Sequence, residues 1–217
     1  PNKSLDLIQG NPRERKLSVA VLQGIIHSLD QLIVAHLVHL TDEEIEKLSK
    51  AGVGMSHCPS SNMRLGSGIA PVVKMKDTGI KISMAVDGSA SNDTSNMVKE
   101  LRQALLLQRV KYGAESLTPR EVIRFGTIGG ARALGRSDEI GSIEPGKAAD
   151  LVMVDLNKLE YAGGLSDPVS ALLMCDTKGV DFTMVNGRVL VEDGKLRDRG
   201  LMDYIKEQNE ISSRFFS

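Results

Sequence analysis

Three consecutive segments of the chain share one pattern: a short apolar run, a polar loop, and then a run with apolar residues at helical spacing. In the first segment, Leu32–His36 is the apolar run. Thr41 and Glu44 then form a capping-box pattern that predicts the start of a helix burying Ile45 and Leu48. A strand followed directly by an amphipathic helix is typical of a unit that packs the helix against its own sheet.

The next two segments repeat this order. Val53–His57 is followed by a glycine-containing loop and a helix that ends near Gly79, and Ile80–Val86 is followed by a loop, Asp87–Asp93, and a long helix with Leu101 on its apolar face. Because strands linked through helices run parallel, the repeat predicts an α/β fold with a parallel sheet.

Both ends of the chain differ from this repeat. Apolar residues at helical spacing predict a helix over about residues 15–30. Downstream of the repeat, Thr118 with Pro119 and Glu121 predicts a helix start. Asn186-Gly187, within an alternating run, predicts a β-hairpin, and the last residues predict a helix with Ile205 and Ile211 facing inward.

Charge and cysteine content narrow the class of partner. The 27 Lys and Arg residues balance 28 acidic ones and are interspersed with them, which argues against nucleic acid or an anionic membrane as a partner. The apolar stretch 17–37 contains Gln23, His27 and Asp30, so it predicts no membrane span. Only Cys58 and Cys175 are present, which suits the cytoplasm. We expect a small molecule or another protein chain as the partner.

Four stretches together resemble the amidohydrolase superfamily, in the branch of nucleobase deaminases and triazine hydrolases. Ile33–His39 is similar to the family's sixth barrel strand, Ser56–Asn62 to its seventh, and Val86–Asp93 to its eighth. Gly141–Val152 resembles the junction at which such enzymes return to a small β-sandwich. The resemblance covers about residues 32–200 and implies only the C-terminal half of such an enzyme.

The resemblance implies a fold and domain boundaries. The fold is α/β, with about the last three βα units of a (β/α)₈ TIM-like barrel and a β-rich C-terminal segment of the composite β-sandwich. Residues 1–31 would be an unmatched helical segment, 32–140 the barrel part, and 141–217 the sandwich strands with a C-terminal helix.

The resemblance also implies a reaction and its residues. A divalent metal, zinc or iron, would activate a hydroxide that hydrolyses a C–N bond on a purine, pyrimidine or triazine ring. His36 and Asp87 would be catalytic, with Asp87 also a metal ligand, and Asn62 and Arg64 would contact the heterocyclic substrate. From the residues alone, other interpretations stay open: His36 and His57 as hydrogen-bonded core residues, and Asp87-Gly88 as a turn. We interpret His27 and His39 as structural.

The chain lacks the family's two other metal-binding signatures. Neither His-x-His nor His-x-x-Glu occurs in its 217 residues, so we do not expect this chain alone to hold the metal. Three βα units are also too few for a barrel of about 250 residues. The sequence therefore predicts either a homo-oligomer or a chain completed by a missing N-terminal half. The alternative function is a catalytically inert fragment or oligomerising module; a phosphate-binding barrel half, which rests on loop glycines alone, ranks last.

Overall fold

The computed structural model describes residues 32–197 and 200–215. The helix predicted over residues 15–30, with His27, lies outside these ranges. The described residues form two compact units. One contains those up to Lys147 together with Leu156–Thr177, and the other contains Ala148–Asp155 together with those from Lys178 onward.

The first unit is built on a parallel three-stranded sheet in the order β1-β2-β3. Ile33 of β1 pairs with Gly54 of β2, which pairs in turn with Lys81 of β3. The predicted parallel sheet and the α/β class are therefore confirmed. The elements of this unit are β1 (Ile33–Ala35), α1 (Asp42–Lys50), β2 (Gly54–His57), α2 (Pro59–Arg64), α3 (Val72–Asp77), β3 (Lys81–Met84), α4 (Met97–Tyr112), α5 (Pro119–Arg124), α6 (Gly130–Ala133) and α7 (Pro168–Met174).

Local signals in the sequence determine where several of these helices begin. Thr41 and Glu44 form the predicted capping box at α1, and Thr118 and Glu121 form the one at α5. Each box satisfies backbone N–H groups that the first helical turn leaves without partners. The helices then cover the sheet with a core of buried apolar side chains, among them Leu48, Met55, Met75, Ile82, Leu105 and Leu173.

The chain between Thr118 and Gly135 is not one regular α-helix. After α5, a π-helical turn spans Phe125–Gly129 and leads directly into α6. A Cβ atom at Gly129 would lie 2.5 Å from the carbonyl oxygen of Ile82 in β3. The turn therefore approaches the sheet at a distance that only glycine permits.

The second unit is an antiparallel sheet in the order β4-β5-β6-β7. Asn186 and Gly187 both have positive φ, +47° and +78°, as the predicted type I′ turn requires. The prediction that Ile205 and Ile211 face inward is wrong, since they are 45% and 39% exposed. The elements are β4 (Leu151–Met153), β5 (Phe182–Val185), β6 (Arg188–Glu192), β7 (Lys195–Leu196) and α8 (Leu201–Phe215).

The two units of the structure are not separated by one boundary after residue 140, where the resemblance implied that the barrel part ends. The chain leaves the first unit only after Lys147 and returns to it at Leu156. The return has a physical reason, because Leu173 on α7 is 1% exposed within the core of the first unit.

Among the helices of the described ranges, none has both the length and the apolar content that crossing a membrane requires.

Candidate active site at the carboxyl ends of the parallel strands

Three polar side chains lie where the parallel strands end. His36 follows β1, His57 is the last residue of β2, and Asp87 follows β3. His36 and Asp87 have φ values of +68° and +67°, a left-handed conformation that residues other than glycine seldom adopt. Such a backbone costs free energy and persists only where its surroundings hold it. The equivalent turn after two strands therefore marks this edge of the sheet as a site candidate.

The side chains of His36 and Asp87 face each other. Nε2 of His36 lies 3.8 Å from Oδ2 of Asp87, and the two side chains are 14% and 32% exposed. This separation is too long for a direct hydrogen bond but short enough for both groups to contact one small molecule. The other ring nitrogen of His36, Nδ1, is 2.8 Å from Oδ1 of Asn62.

Two serine hydroxyl groups hold the Asp87 carboxylate. Ser61 Oγ and Ser91 Oγ both donate to Oδ2, at 2.5 Å and 2.9 Å. Burial raises the pKa of Asp87, but hydrogen bonds from Ser61, the Gly88 backbone and Ser91 together lower it below its ordinary value. The carboxylate is therefore ionised at neutral pH and fixed in orientation.

The two residues predicted to contact substrate lie in different surroundings. Asn62, on α2, is 2% exposed and bonded to His36. Arg64 forms an ion pair with Asp93, and its side chain is 48% exposed. The structure thus brings Asn62 together with His36 and Asp87, whereas Arg64 is held by an acidic partner at the surface.

Sequence reasoning missed Ser61, Ser91 and Glu100. The two serines lie inside the stretches that carried the family resemblance, but nothing in those stretches indicates that they donate hydrogen bonds to Asp87. Glu100 had a stronger signal, because it lies one turn before Ala104 on the apolar face of α4. A carboxylate on a buried helix face needs partners. Glu100 accepts from the backbone N–H of Ser60 and from Asn92 Nδ2.

His57 and Cys58 are buried, and burial shifts the pKa of each so that both side chains are uncharged at neutral pH. Burial, with a smaller effect of nearby His36, lowers the pKa of His57 to about 3, so the ring is neutral at neutral pH. Neither ring nitrogen has a hydrogen-bond partner among the described residues. Burial is also the main cause that raises the pKa of Cys58 to about 12, so its thiol stays protonated. The protonated thiol of Cys58 is not the form that binds metal or acts as a nucleophile, and the neutral ring of His57 is 1% exposed.

A catalytic zinc ion needs about three protein ligands. Within residues 32–197 and 200–215, no cluster of three or more His, Cys, Asp or Glu side chains could hold a metal ion. Asp87 and His36 are the two such groups that the strand ends bring together. Two side chains are fewer than a catalytic zinc ion needs.

Comparison with known proteins identifies the family. The model of the amidohydrolase family matches residues 8–190, which is most of the chain. The chain belongs to the amidohydrolase family. The resemblance inferred from the sequence motifs is confirmed, and the match extends upstream of residue 32 into the segment that those motifs left unmatched.

Several amidohydrolases are similar in sequence or structure. The 8-oxoguanine deaminase of Pseudomonas aeruginosa is 49% identical over 180 residues, covering 83% of this chain and 40% of the relative. An adenosine deaminase from Xanthomonas campestris, solved with bound zinc, superposes with a TM-score of 0.85 at 34% identity, covering 91% of this chain and 45% of that one. Atrazine chlorohydrolase from Arthrobacter aurescens, complexed with zinc, gives 0.77 at 34% identity, with coverages of 82% and 40%. The chain thus spans less than half the length of these relatives.

Proposed function

We propose that this chain contributes to the hydrolysis of a C–N bond on a purine, pyrimidine or triazine ring. The observation that carries the proposal is that His36 Nε2 and Asp87 Oδ2 face each other, 3.8 Å apart, at the ends of parallel strands. An imidazole and a fixed carboxylate at this distance can both contact one water molecule. The relative named as a deaminase supports hydrolysis of a C–N bond, and the one named as a chlorohydrolase supports the broader class of hydrolysis at a ring substituent.

The two residues have different roles in this proposal. Asp87 is ionised, so it binds a metal ion and accepts a proton from water before passing it to the leaving group. His36 forms a hydrogen bond that orients the attacking oxygen and, once its ring has taken a proton, stabilises the negative charge that develops as the ring carbon becomes tetrahedral. The metal, zinc or iron, supplies a hydroxide near neutral pH when it is bound. Arg64 is half exposed and contacts substrate if it leaves Asp93.

The three parallel strands correspond, in this proposal, to the last βα units of a (β/α)₈ barrel. Within the described residues, β1 and β3 each pair with one neighbour, β2. Such edges favour pairing with further strands. We propose that the other metal ligands come either from a second copy of this chain or from a chain carrying the N-terminal half of the barrel.

One observation favours the alternative that the chain alone is inert. No group of three metal-binding side chains exists in the part of the chain that the structure describes. On this alternative, the half-barrel serves for association and the strand ends bind no metal.

A chimera tests the two possibilities. The part of the Pseudomonas aeruginosa deaminase that this chain does not match is joined upstream of this chain. Zinc content and ammonia release from 8-oxoguanine, guanine and adenosine analogues are then measured. We expect about one metal ion per chain and turnover that Asp87→Ala abolishes without unfolding the protein. Asp138→Ala, at an exposed carboxylate, should retain both. A folded chimera with neither metal nor turnover rejects the hydrolase in favour of the inert module.

A further inference from the structure

We infer that Asn62 is a positioning residue that fixes the tautomer of His36, and not a contact for substrate. Its side-chain oxygen accepts a hydrogen bond from Nδ1–H of His36, so that Nε2 is left without a proton and faces Asp87. The catalytic consequence of this arrangement rests on the proposed function, but the tautomer itself does not.

The donor and acceptor roles follow from the chemistry of the two groups. Asn62 Oδ1 lies 2.8 Å from His36 Nδ1, within ordinary hydrogen-bond distance. With Oδ1 facing the ring, as in the structure, the ring nitrogen must carry the proton, because an amide oxygen only accepts. In a neutral imidazole the other nitrogen then has a lone pair. That nitrogen is Nε2, 3.8 Å from Oδ2 of Asp87.

Asn62 is buried, with 2% of the residue exposed. Its Nδ2 has no hydrogen-bond partner among the described residues, so the bond from His36 to Oδ1 is what orients the amide. Its backbone N–H donates to Cys58, and its carbonyl accepts from Ser67. Any additional protein around this half-barrel can only reduce the exposure further. Little of the side chain is therefore accessible to a substrate, whereas its oxygen is already committed to His36.

The tautomer of His36 determines whether a water molecule can bind between His36 and Asp87. With Nε2 unprotonated, the imidazole and the carboxylate are two acceptors, and a water molecule between them can donate to both. With Nε2 protonated, the ring would donate a hydrogen bond directly to the carboxylate, and the two side chains would bind each other instead of a water molecule. Asn62 is uncharged, so it selects the first arrangement without attracting a second proton to the ring, as a carboxylate would.

Nitrogen NMR of the complete 217-residue chain, without metal or substrate, tests the inference. Long-range proton–nitrogen spectra at about pH 8.5, roughly two units above the ordinary histidine pKa, report which ring nitrogen is protonated, and His36→Gln assigns the signals. We expect Nδ1–H in the wild type and in the control Met63→Leu, an exposed position on the same helix. Asn62→Leu, which removes the acceptor, should shift the ring to Nε2–H, and Asn62→Asp should keep Nδ1 protonated.

Two results would overturn the inference: a wild-type ring with Nε2–H, or a folded Asn62→Leu variant whose tautomer is unchanged. If Asn62→Leu does not fold, the wild-type and Asn62→Asp spectra still decide. A role of Asn62 in folding alone would leave the tautomer unaltered. The proposed hydrolase fails separately, because an inactive chimera says nothing about the tautomer of the metal-free chain.

Discussion

The carboxylate of Glu100 accepts a hydrogen bond from Asn92 Nδ2 at 2.8 Å, although Glu100 is completely buried. Its other oxygen accepts from the backbone N–H of Ser60 at 3.1 Å. Ser60 lies in α2, immediately before the serine that holds Asp87, and Asn92 lies in the loop that Asp87 begins. One buried side chain thus joins α2 to the loop after β3, and Ser61 of α2 and Ser91 of that loop both hold the Asp87 carboxylate.

Glu100→Gln should destabilise the chain by about 1–3 kcal/mol, because one acceptor oxygen becomes an NH₂ group that faces an existing N–H donor. Urea unfolding followed by circular dichroism measures the change. Glu115→Gln makes the same substitution at an exposed position and should stay within about 0.5 kcal/mol of the wild type. Equal effects of the two substitutions would mean that Glu100 is not a structural link between α2 and the loop after β3.

The sequence predicted those features of the fold that depend on neighbouring residues. The two capping boxes lie within four residues each, and the type I′ turn depends on Asn186 and Gly187 alone. His36 and Asp87 could be paired from sequence for a topological reason: parallel strands place their carboxyl ends at one edge. The family resemblance then supplied the chemistry that the spacing of the residues could not.

Features that depend on distant contacts were not predictable in the same way. The π-helical turn brings Gly129 against the carbonyl of Ile82, 47 positions earlier in the sequence. The hydrogen bond from His36 to Asn62 joins residues 26 positions apart. The apolar spacing of Ile205 and Ile211 predicted burial, yet both are exposed, because periodicity identifies an apolar face without identifying what covers it.

Gly129→Ala and Gly130→Ala should have opposite effects. Both residues have helical φ values, −63° and −58°, so backbone conformation permits alanine at each. A Cβ atom at Gly129 would lie 2.5 Å from the Ile82 carbonyl oxygen, whereas one at Gly130 has no contact closer than 3.8 Å. We expect Gly129→Ala to cost about 1–3 kcal/mol and Gly130→Ala to stabilise by about 0.5–1 kcal/mol. Thermal unfolding of the two variants checks the order, and an equally stable pair would contradict the close approach.

Glu121→Gln should reduce stability at pH 7, and this difference from the wild type should shrink as the pH falls below 4.5. Glu121 Oε1 accepts from Lys76 Nζ at 2.8 Å, with side chains 36% and 27% exposed. Burial raises the pKa of Glu121, but hydrogen bonds from Lys76 and Thr118 together lower it below the ordinary 4.5. The ionised carboxylate therefore stabilises the fold above that value, and the contribution is lost as pH falls through the lowered pKa. Because the pair is partly exposed, we expect about 0.5–1 kcal/mol at pH 7. Urea unfolding over a series of pH values from 7 downward measures the difference, and a difference that does not shrink below pH 4.5 would contradict the prediction.

His57→Leu should remove an acid sensitivity of the fold. The folded chain binds a proton on His57 only near pH 3, whereas an unfolded chain binds it near the ordinary 6.5. Between these values the unfolded state binds more protons, so stability is complete above 6.5 and decreases as pH falls. At pH 5 the loss is about 2 kcal/mol, from about 1.4 kcal/mol per pH unit.

The same substitution should not harm the fold at pH 7, where the buried ring is neutral and both its nitrogens lack partners. An apolar side chain of similar size removes that desolvation cost, so we expect stability between the wild-type value and about 2 kcal/mol above it. His57→Gln separates polarity from ionisation: it should also lose the pH dependence, yet be less stable than His57→Leu at every pH. Urea midpoints at pH 7 and pH 5 distinguish the three proteins, and a leucine variant as acid-sensitive as the wild type would show that His57 does not titrate in this way.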